Sequence, residues 1–475
     1  MTQTTEARPA LDAAKVVQSL RQTFDSGRTR PLDWRIGQLR ALDAMITERA
    51  DDLIDALAAD LGKPAPEARL LELGPIQTEI GHTIKHLAQW AAPHKVPTST
   101  NLLPATSKVI PEPLGVVLVI APWNYPVQLL LTPLIGALAA GNTVLLKPSE
   151  LAGHTSATLA RIIGEYLDTD AVTVVEGAVE ETTALLRQRF DHIFYTGNPT
   201  VAKVVMRAAA EHLTPVTLEL GGKSPAFVDS TVDLAAAARR IAYGKFVNAG
   251  QTCVSPDYVL VTPDAHDELV TQLGAAITAS FGPDPQHSKD FGRIINDRHF
   301  ARVAAMLDDD GAASVAHGGG TDAASRYIAP TVLTGVTAEH PSMAEEIFGP
   351  VLPVLQVADH GEAIEFINER DKPLALYLFS EDETVRSEVL GRTSSGGVGI
   401  GVTIFQLGVP DLPFGGVGTS GMGSYHGKDS FDTFSHRRAV LDKPLVPDTL
   451  QLVYPPFTAL RRGVIKAISP LRLHR

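Results

Sequence analysis

The sequence predicts an α/β protein built on an open, mostly parallel sheet, and three observations lead there. From Val116 onward, short apolar runs alternate with stretches of helical periodicity. Several of those runs are apolar throughout, as strands covered on both faces are. Turn signals such as Gly141-Asn142 and Gly197-Asn198-Pro199 separate them. The strand candidates are 116–121, 143–147, 171–176, 192–196 and 215–220, with helical patterns near 126–140, 153–167, 180–188 and 199–212. Such alternation gives βαβ units, which right-handed crossovers wind into a Rossmann-like nucleotide-binding domain.

The first ninety or so residues read as helix-rich, because Leu39, Leu42, Met45 and Ile46 recur at helical spacing, as do Leu53, Leu57 and Leu61. Gly62-Lys63-Pro64 ends that run. A Pro-, Ser- and Thr-rich piece at 93–113 reads as an extended arm or hairpin. A second α/β region runs from about Gly221 to Pro410, with strands at 258–261 and 351–355 and helices near 233–246, 265–280 and 360–369. Beyond Pro444 the chain turns irregular and basic.

At 475 residues, with 44% hydrophobic and 20% charged residues, the chain has ample core-forming material and is not a disordered polymer. A net charge of −13 argues against a general nucleic-acid binder, which needs basic patches for phosphate contacts. The single cysteine, Cys253, excludes an intrachain disulfide and any multi-cysteine metal centre, and no metal site is expected. Residues 1–10 lack the apolar run of a signal peptide, so a cytoplasmic location is the expectation. The uncharged stretch from Leu114 to Leu146 is long enough to cross a bilayer, but Trp123-Asn124-Tyr125-Pro126, Pro133 and Gly141-Asn142 interrupt it. It reads as strand–helix–strand.

A sheet of this type binds dinucleotides at the carboxyl ends of its strands. The G-x-G-x-x-G fingerprint is absent after every strand candidate, so the site has to be sought elsewhere. Lys147 and Glu150 stand where a strand meets a helix, suited to phosphate or ribose hydroxyls. Gly197 ends another strand, with Asn198 as helix N-cap and Pro199 in the first turn, and an exposed helix start can receive an anion. From spacing alone, ordinary helix starts are the favoured reading of both.

Cys253 lies in a Gly-containing polar turn, which leaves it open between an inert thiol and a nucleophile. Glu219 sits among apolar strand residues, where desolvation raises a carboxyl pKa and favours a general base; the alternative is pairing with Lys223. Asn124 can cap the following helix with its oxygen while its NH₂ donates to a developing oxyanion.

Together these segments resemble the aldehyde dehydrogenase superfamily. The matching pieces are A-P-W-N-Y-P at 121–126, K-P-S-E at 147–150, Y-T-G-N at 195–198 and L-E-L-G-G-K-S-P at 218–225. They continue with G-Q-T-C at 250–253, E-E-I-F-G-P at 345–350 and P-F-G-G-V-G at 413–418. G-R-T-R-P at 27–31 and S-Y-H-G-K at 424–428 look like the class 3 branch, which includes fatty- and aromatic-aldehyde enzymes.

The resemblance implies Cys253 as nucleophile, Glu219 as base, and an oxyanion hole formed by the Asn124 side chain and the Cys253 backbone N–H. It also implies that Lys147 and Glu150 hold the adenosine ribose, that Gly197 and Asn198 lie by the phosphates, and that Trp123, Leu220, Glu346 and Phe348 line the nicotinamide end. The expected cofactor is NAD⁺, since an acid at 150 suits a ribose 2′-hydroxyl, although the resemblance also admits NADP⁺.

The implied division is a helical and nucleotide-binding part at 1–220, a catalytic part at 221–425, and an oligomerisation strand with basic tail at 426–475. Residues 95–112 would join a small β arm, and a homodimer is expected. Two departures weaken the carry-over: Ala202 stands where many relatives have Gly, and Gly401-Val402-Thr403 replaces an Asn-containing turn.

From Leu460 to Arg475 there are five basic residues (Arg461, Arg462, Lys466, Arg472, Arg475) and no acid, with Val464, Ile465 and Ile468 able to form an apolar side before Pro470. Peripheral attachment to an anionic membrane is one reading and an ordinary tail the other. The functional alternatives are a cysteine-dependent esterase, a non-catalytic binding protein on the same scaffold, and a coenzyme A-acylating enzyme, the last disfavoured by Glu219.

Overall fold

The computed structural model describes residues 11–307 and 313–469. The helices Leu32–Glu48 and Ala50–Leu61 bury the apolar positions recognised by periodicity: Leu39, Leu42, Met45, Ile46, Leu53, Leu57 and Leu61 are all at most 1% exposed. Gly62, with φ 61°, ends the second helix in the left-handed conformation that glycine accommodates best. The chain then forms a short helix, Ala65–Ala68, passes through a π-helical turn at Arg69–Leu73, and enters the long helix Gly74–Trp90.

The first sheet has six strands in the order Gly421–Met422, Val216–Glu219, His192–Thr196, Val116–Ile120, Thr143–Lys147 and Val172–Val174. All neighbours are parallel except the first pair. Every residue of Val116–Ile120, Thr143–Lys147 and His192–Thr196 is buried, which is why these strands read as continuous apolar runs. The uncharged 114–146 stretch resolves into Val116–Ile120, the buried helix Gln128–Ala140 and Thr143–Lys147. No helix among the described residues is long and apolar enough to cross a membrane.

The second sheet has seven strands in the order Ser314–His317, Thr331–Thr334, Val351–Gln356, Tyr258–Val261, Pro225–Val228, Ala375–Phe379 and Gly397–Ile400. Sequence reading found two of these. Gly397–Ile400 contains two glycines, and Pro225–Val228 is only four residues long directly after a Gly-Gly turn, so neither carries much pattern of its own.

The chain leaves this sheet at Ile400 and returns to the first, where Gly421 pairs with Glu219. Tyr425, Phe431 and Phe434 then pack with Val117 and Phe194 in the core of the first sheet. The last part of the 221–425 segment therefore packs with the nucleotide-side sheet: Gly421–Met422 adds its edge strand and Tyr425 enters its core.

The 93–113 piece forms His94–Val96 and Thr106–Pro113, and the latter pairs antiparallel over its whole length with Ser435–Asp442. The result is a three-stranded arm. After it, the short helix Thr449–Val453 and the helix Ala459–Ile468 bury none of their residues. Pro470, Arg472 and Arg475, like residues 1–10, lie outside the described residues.

Candidate active site

Chain order in the first sheet reverses at Val116–Ile120: the next strand, Thr143–Lys147, lies on one side of it, and His192–Thr196 lies on the other. Loops leaving the carboxyl ends of such strands diverge and open a crevice. Trp123 and Asn124 follow one of these ends, and Gly197 and Asn198 follow the other. Asn198 caps the helix Pro199–Ala210, its side chain accepting the Val201 N–H at 3.0 Å, as the sequence predicts. The cap uses that N–H and Pro199 has none, which leaves fewer first-turn donors for an anion than a glycine-rich turn offers.

Cys253 reaches the crevice through a strained turn. Asn248, Ala249 and Gly250 all have positive φ (52°, 52° and 74°). Left-handed non-glycine residues persist only where their surroundings impose them, and Asn248 is held firmly. Its N–H donates to Glu67 Oε1 (2.9 Å), and its side-chain amide donates to the carbonyls of Asn124 (2.8 Å) and Gln251 (3.1 Å). Gly250 packs so closely that a Cβ there would lie 2.2 Å from the Gly349 carbonyl oxygen. The 250–253 turn is thereby locked against the 345–350 segment.

Asn124 differs from its expected local role. The helix Gln128–Ala140 has no side-chain cap from Asn124; instead Glu72 Oε2 accepts the N–H groups of Val127 (3.1 Å) and Gln128 (3.0 Å). The reason is packing: the π-helical turn brings a buried carboxylate to the helix start, and Asn124 is freed to face the cysteine turn. Its Nδ2 donates to the Gln251 carbonyl at 3.0 Å, which occupies one of its two N–H bonds.

Two carboxyl groups face the thiol. Both Glu219 oxygens are buried without a hydrogen-bond partner among the described residues, and burial pushes its pKa far above the usual carboxylate range. The alternative pairing with Lys223 does not occur, because Lys223 binds Asp257 at 2.5 Å. Glu346 lies against Gly221, where a Cβ would clash with its carboxyl oxygens, and burial raises it to about 8. The Cys253 thiol is pushed up to about 12, first by burial and then by Glu346 and Glu219.

Phe348 adopts φ 48° and meets Trp123 edge to face at 5.4 Å. Arg302 holds this segment by donating to the carbonyls of Glu346 (3.2 Å) and Ile347 (2.6 Å). Leu220 is buried beside it, its N–H donating to the Ser420 carbonyl. At the far end of the crevice, Lys147 Nζ donates to the Pro148 carbonyl (2.8 Å) and stands 3.9 Å from the half-exposed Glu150 carboxylate.

These groups fit a dinucleotide. Thr196 Oγ1, at the end of its strand, and Glu346 Oε1 are buried polar atoms with no partner among the described residues. Sequence reading missed His299, whose ring lies 5.1 Å from Trp123 and whose pKa burial and Arg302 lower to about 4. It also missed Lys63, Glu67 and Glu72, which lie more than fifty residues before Asn124 and carry no local signal.

A lone thiol, set in a locked turn beside a dinucleotide crevice with a partnerless carboxyl group near it, defines a cysteine-dependent oxidoreductase. The chain belongs to the aldehyde dehydrogenase family, which it matches over residues 1–440. It is 51% identical to the rat "Aldehyde dehydrogenase, dimeric NADP-preferring", covering 93% of this chain and 97% of that protein. It is 51% identical to rat "Aldehyde dehydrogenase family 3 member A2", covering 93% and 90%. A substrate-bound AldH of Staphylococcus aureus superposes with TM-score 0.93 at 43% identity over 96% of this chain and 99% of that one. An indole-3-acetaldehyde dehydrogenase in complex with NAD⁺ superposes at 0.83 with 27% identity over 91% and 89%.

Proposed function

We propose that this protein oxidises a hydrophobic aldehyde, medium- or long-chain or aromatic, to the carboxylic acid with NAD(P)⁺, through a thiohemiacetal and then a thioester on Cys253. The observation that carries the reading is the Cys253 turn, with the Asn124 amide beside it and two partnerless buried carboxyl oxygens on Glu219. Once deprotonated, the Cys253 sulfur bonds to the carbonyl carbon. The oxyanion is met by the second Asn124 N–H and the Cys253 backbone N–H; one preorganised donor contributes about 3 kcal/mol.

Bound NAD(P)⁺ supplies the hydride acceptor and a positive charge beside the thiol. Lys147 and Glu150 would hold its adenosine ribose, Gly197 and Asn198 its phosphates, and Trp123, Leu220, Glu346 and Phe348 its nicotinamide end. Glu219, ionised, takes the proton of the water that hydrolyses the thioester.

A hydrophobic substrate is supported by apolar side chains on the segment that Tyr377 ties to the cysteine turn, its hydroxyl donating to the Val254 carbonyl and accepting the Ile404 N–H. Phe405 stacks on Tyr243 at 5.4 Å and is half exposed, with Val409 and Leu412 exposed along the same segment. A panel of aldehydes assayed with both cofactors tests this reading. Appearance of NADH or NADPH with long-chain or aromatic aldehydes is expected, and cofactor-independent ester cleavage alone would return the protein to the hydrolase reading.

Two assembly properties complete the proposal. The chain forms a homodimer: its relative is named as dimeric, and Ser435–Asp442 is an edge strand of the arm. Light scattering at twice 50.7 kDa is expected. The tail also touches anionic membrane, because Ala459–Ile468 carries Arg461, Arg462 and Lys466 with no acid and leaves Leu460 70% exposed. Deleting 458–475 without changing liposome binding at low salt would dispose of the membrane contact.

A further inference from the structure

Beneath the crevice lies an ion pair that the reaction itself does not use. The side chains of Lys63 and Glu72 are both fully buried, with Lys63 Nζ 2.5 Å from Glu72 Oε1. Lys63 Nζ also donates to the Asn124 carbonyl at 3.1 Å and sits 4.0 Å from the centre of the Tyr125 ring. Glu72 spends its other oxygen on the N–H groups of Val127 and Gln128. The pair thus grips the Asn124–Gln128 segment at both ends. Asn248, from the cysteine turn, donates to the same Asn124 carbonyl.

Burying both charges carries a desolvation penalty that two apolar residues would avoid. Glu72 is presented from the π-helical turn Arg69–Leu73, a rare conformation that is frequent at functional sites.

We propose that Lys63 and Glu72 are positioning residues that set where the free Asn124 N–H stands relative to the Cys253 sulfur; this rests on the reading of Asn124 as oxyanion donor. Neither residue touches substrate. Lys63 fixes the Asn124 peptide from behind, and Glu72 fixes the helix start that carries the loop. The side-chain amide, with one N–H already committed to Gln251, is left a single orientation for the other.

The test compares Lys63→Met, the charge-neutral pair Lys63→Met/Glu72→Gln, Asn124→Ala and Asn124→Ala/Lys63→Met. Four readouts apply: aldehyde oxidation, 4-nitrophenyl acetate hydrolysis, iodoacetamide alkylation of Cys253, and NADH binding by fluorescence. Lys63→Met and the neutral pair are expected to lower kcat for oxidation and ester hydrolysis by about ten- to a hundredfold, the scale of a 1 Å misplacement, with alkylation and NADH affinity nearly unchanged. In the Asn124→Ala background, Lys63→Met should cost little more.

Full additivity of the two losses, a parallel loss of alkylation, unchanged ester hydrolysis in the neutral pair, or loss of NADH binding in both Lys63→Met and the neutral pair would each overturn the positioning role while leaving the parent reading intact. Unimpaired catalysis in Asn124→Ala would instead remove the oxyanion reading, and the positioning role with it.

Discussion

Asn124 donates its side-chain amide to the carbonyl of Gln251 across 3.0 Å, joining the loop after one sheet's central strand to the turn that presents Cys253. A second bridge runs beside it, between the Tyr125 hydroxyl and Thr252 Oγ1 at 2.8 Å. Nucleophile and oxyanion donor therefore move as one unit, although they come from segments 129 positions apart.

Replacing Cys253 with Ala removes the only atom able to form the covalent adduct. Oxidation should fall to background while NADH affinity, measured by fluorescence titration, stays near the parent value. Loss of both would mean that the turn, rather than the sulfur, is what matters.

Glu219→Gln keeps the volume and loses the base. A first turnover of NADH is expected, followed by a stalled thioester visible as a mass increase on Cys253. The ionised carboxylate is the active form and burial raises its pKa, so the parent deacylation rate should climb with pH over a range displaced upward from that of an ordinary carboxyl group. That rise should vanish in Glu219→Gln; its persistence would assign it to another group.

Asn124→Ala should lower kcat by about 10²-fold or more, the usual cost of one oxyanion donor, with smaller change in aldehyde KM. Stopped-flow acylation kinetics would locate the loss.

Gly250→Ala places a Cβ into the Gly349 carbonyl at a positive φ. The turn must open, so activity should drop severely and thermal stability should fall by about 1–3 kcal/mol. An active variant of parental stability would show that the 250–253 and 345–350 segments do not need their close contact.

Glu79 provides a pH test of stability. It is buried, accepts the Gly427 N–H at 2.6 Å, and burial raises its pKa to about 7. The folded state then binds this proton more tightly than the unfolded state. Its stabilising contribution is full below the unfolded carboxyl pKa and is lost as pH rises through about 7. Glu79→Gln should flatten that decline in apparent Tm between about pH 4.5 and 7. An unchanged slope would assign the decline elsewhere.

The local elements and the chemistry-bearing residue types were legible in the order of amino acids alone. Apolar periodicity marked the buried positions of the Leu32–Glu48 and Ala50–Leu61 helices. Uninterrupted apolar runs marked the doubly covered strands, and Asn198 before Pro199 marked a helix start. The apolar setting of Glu219 announced a desolvated carboxyl. These signals are legible because propensity, capping and alternation act between residues a few positions apart.

Long-range packing is what makes Glu72 rather than Asn124 cap the Gln128–Ala140 helix, turns Lys223 to Asp257 so that Glu219 stands alone, and brings His299 to Trp123. The same packing returns the chain to the first sheet at Gly421. Each of these is a choice of partner between segments far apart in the chain. Which donor meets which acceptor depends on how helices and sheets pack against one another, and no spacing along the chain encodes that.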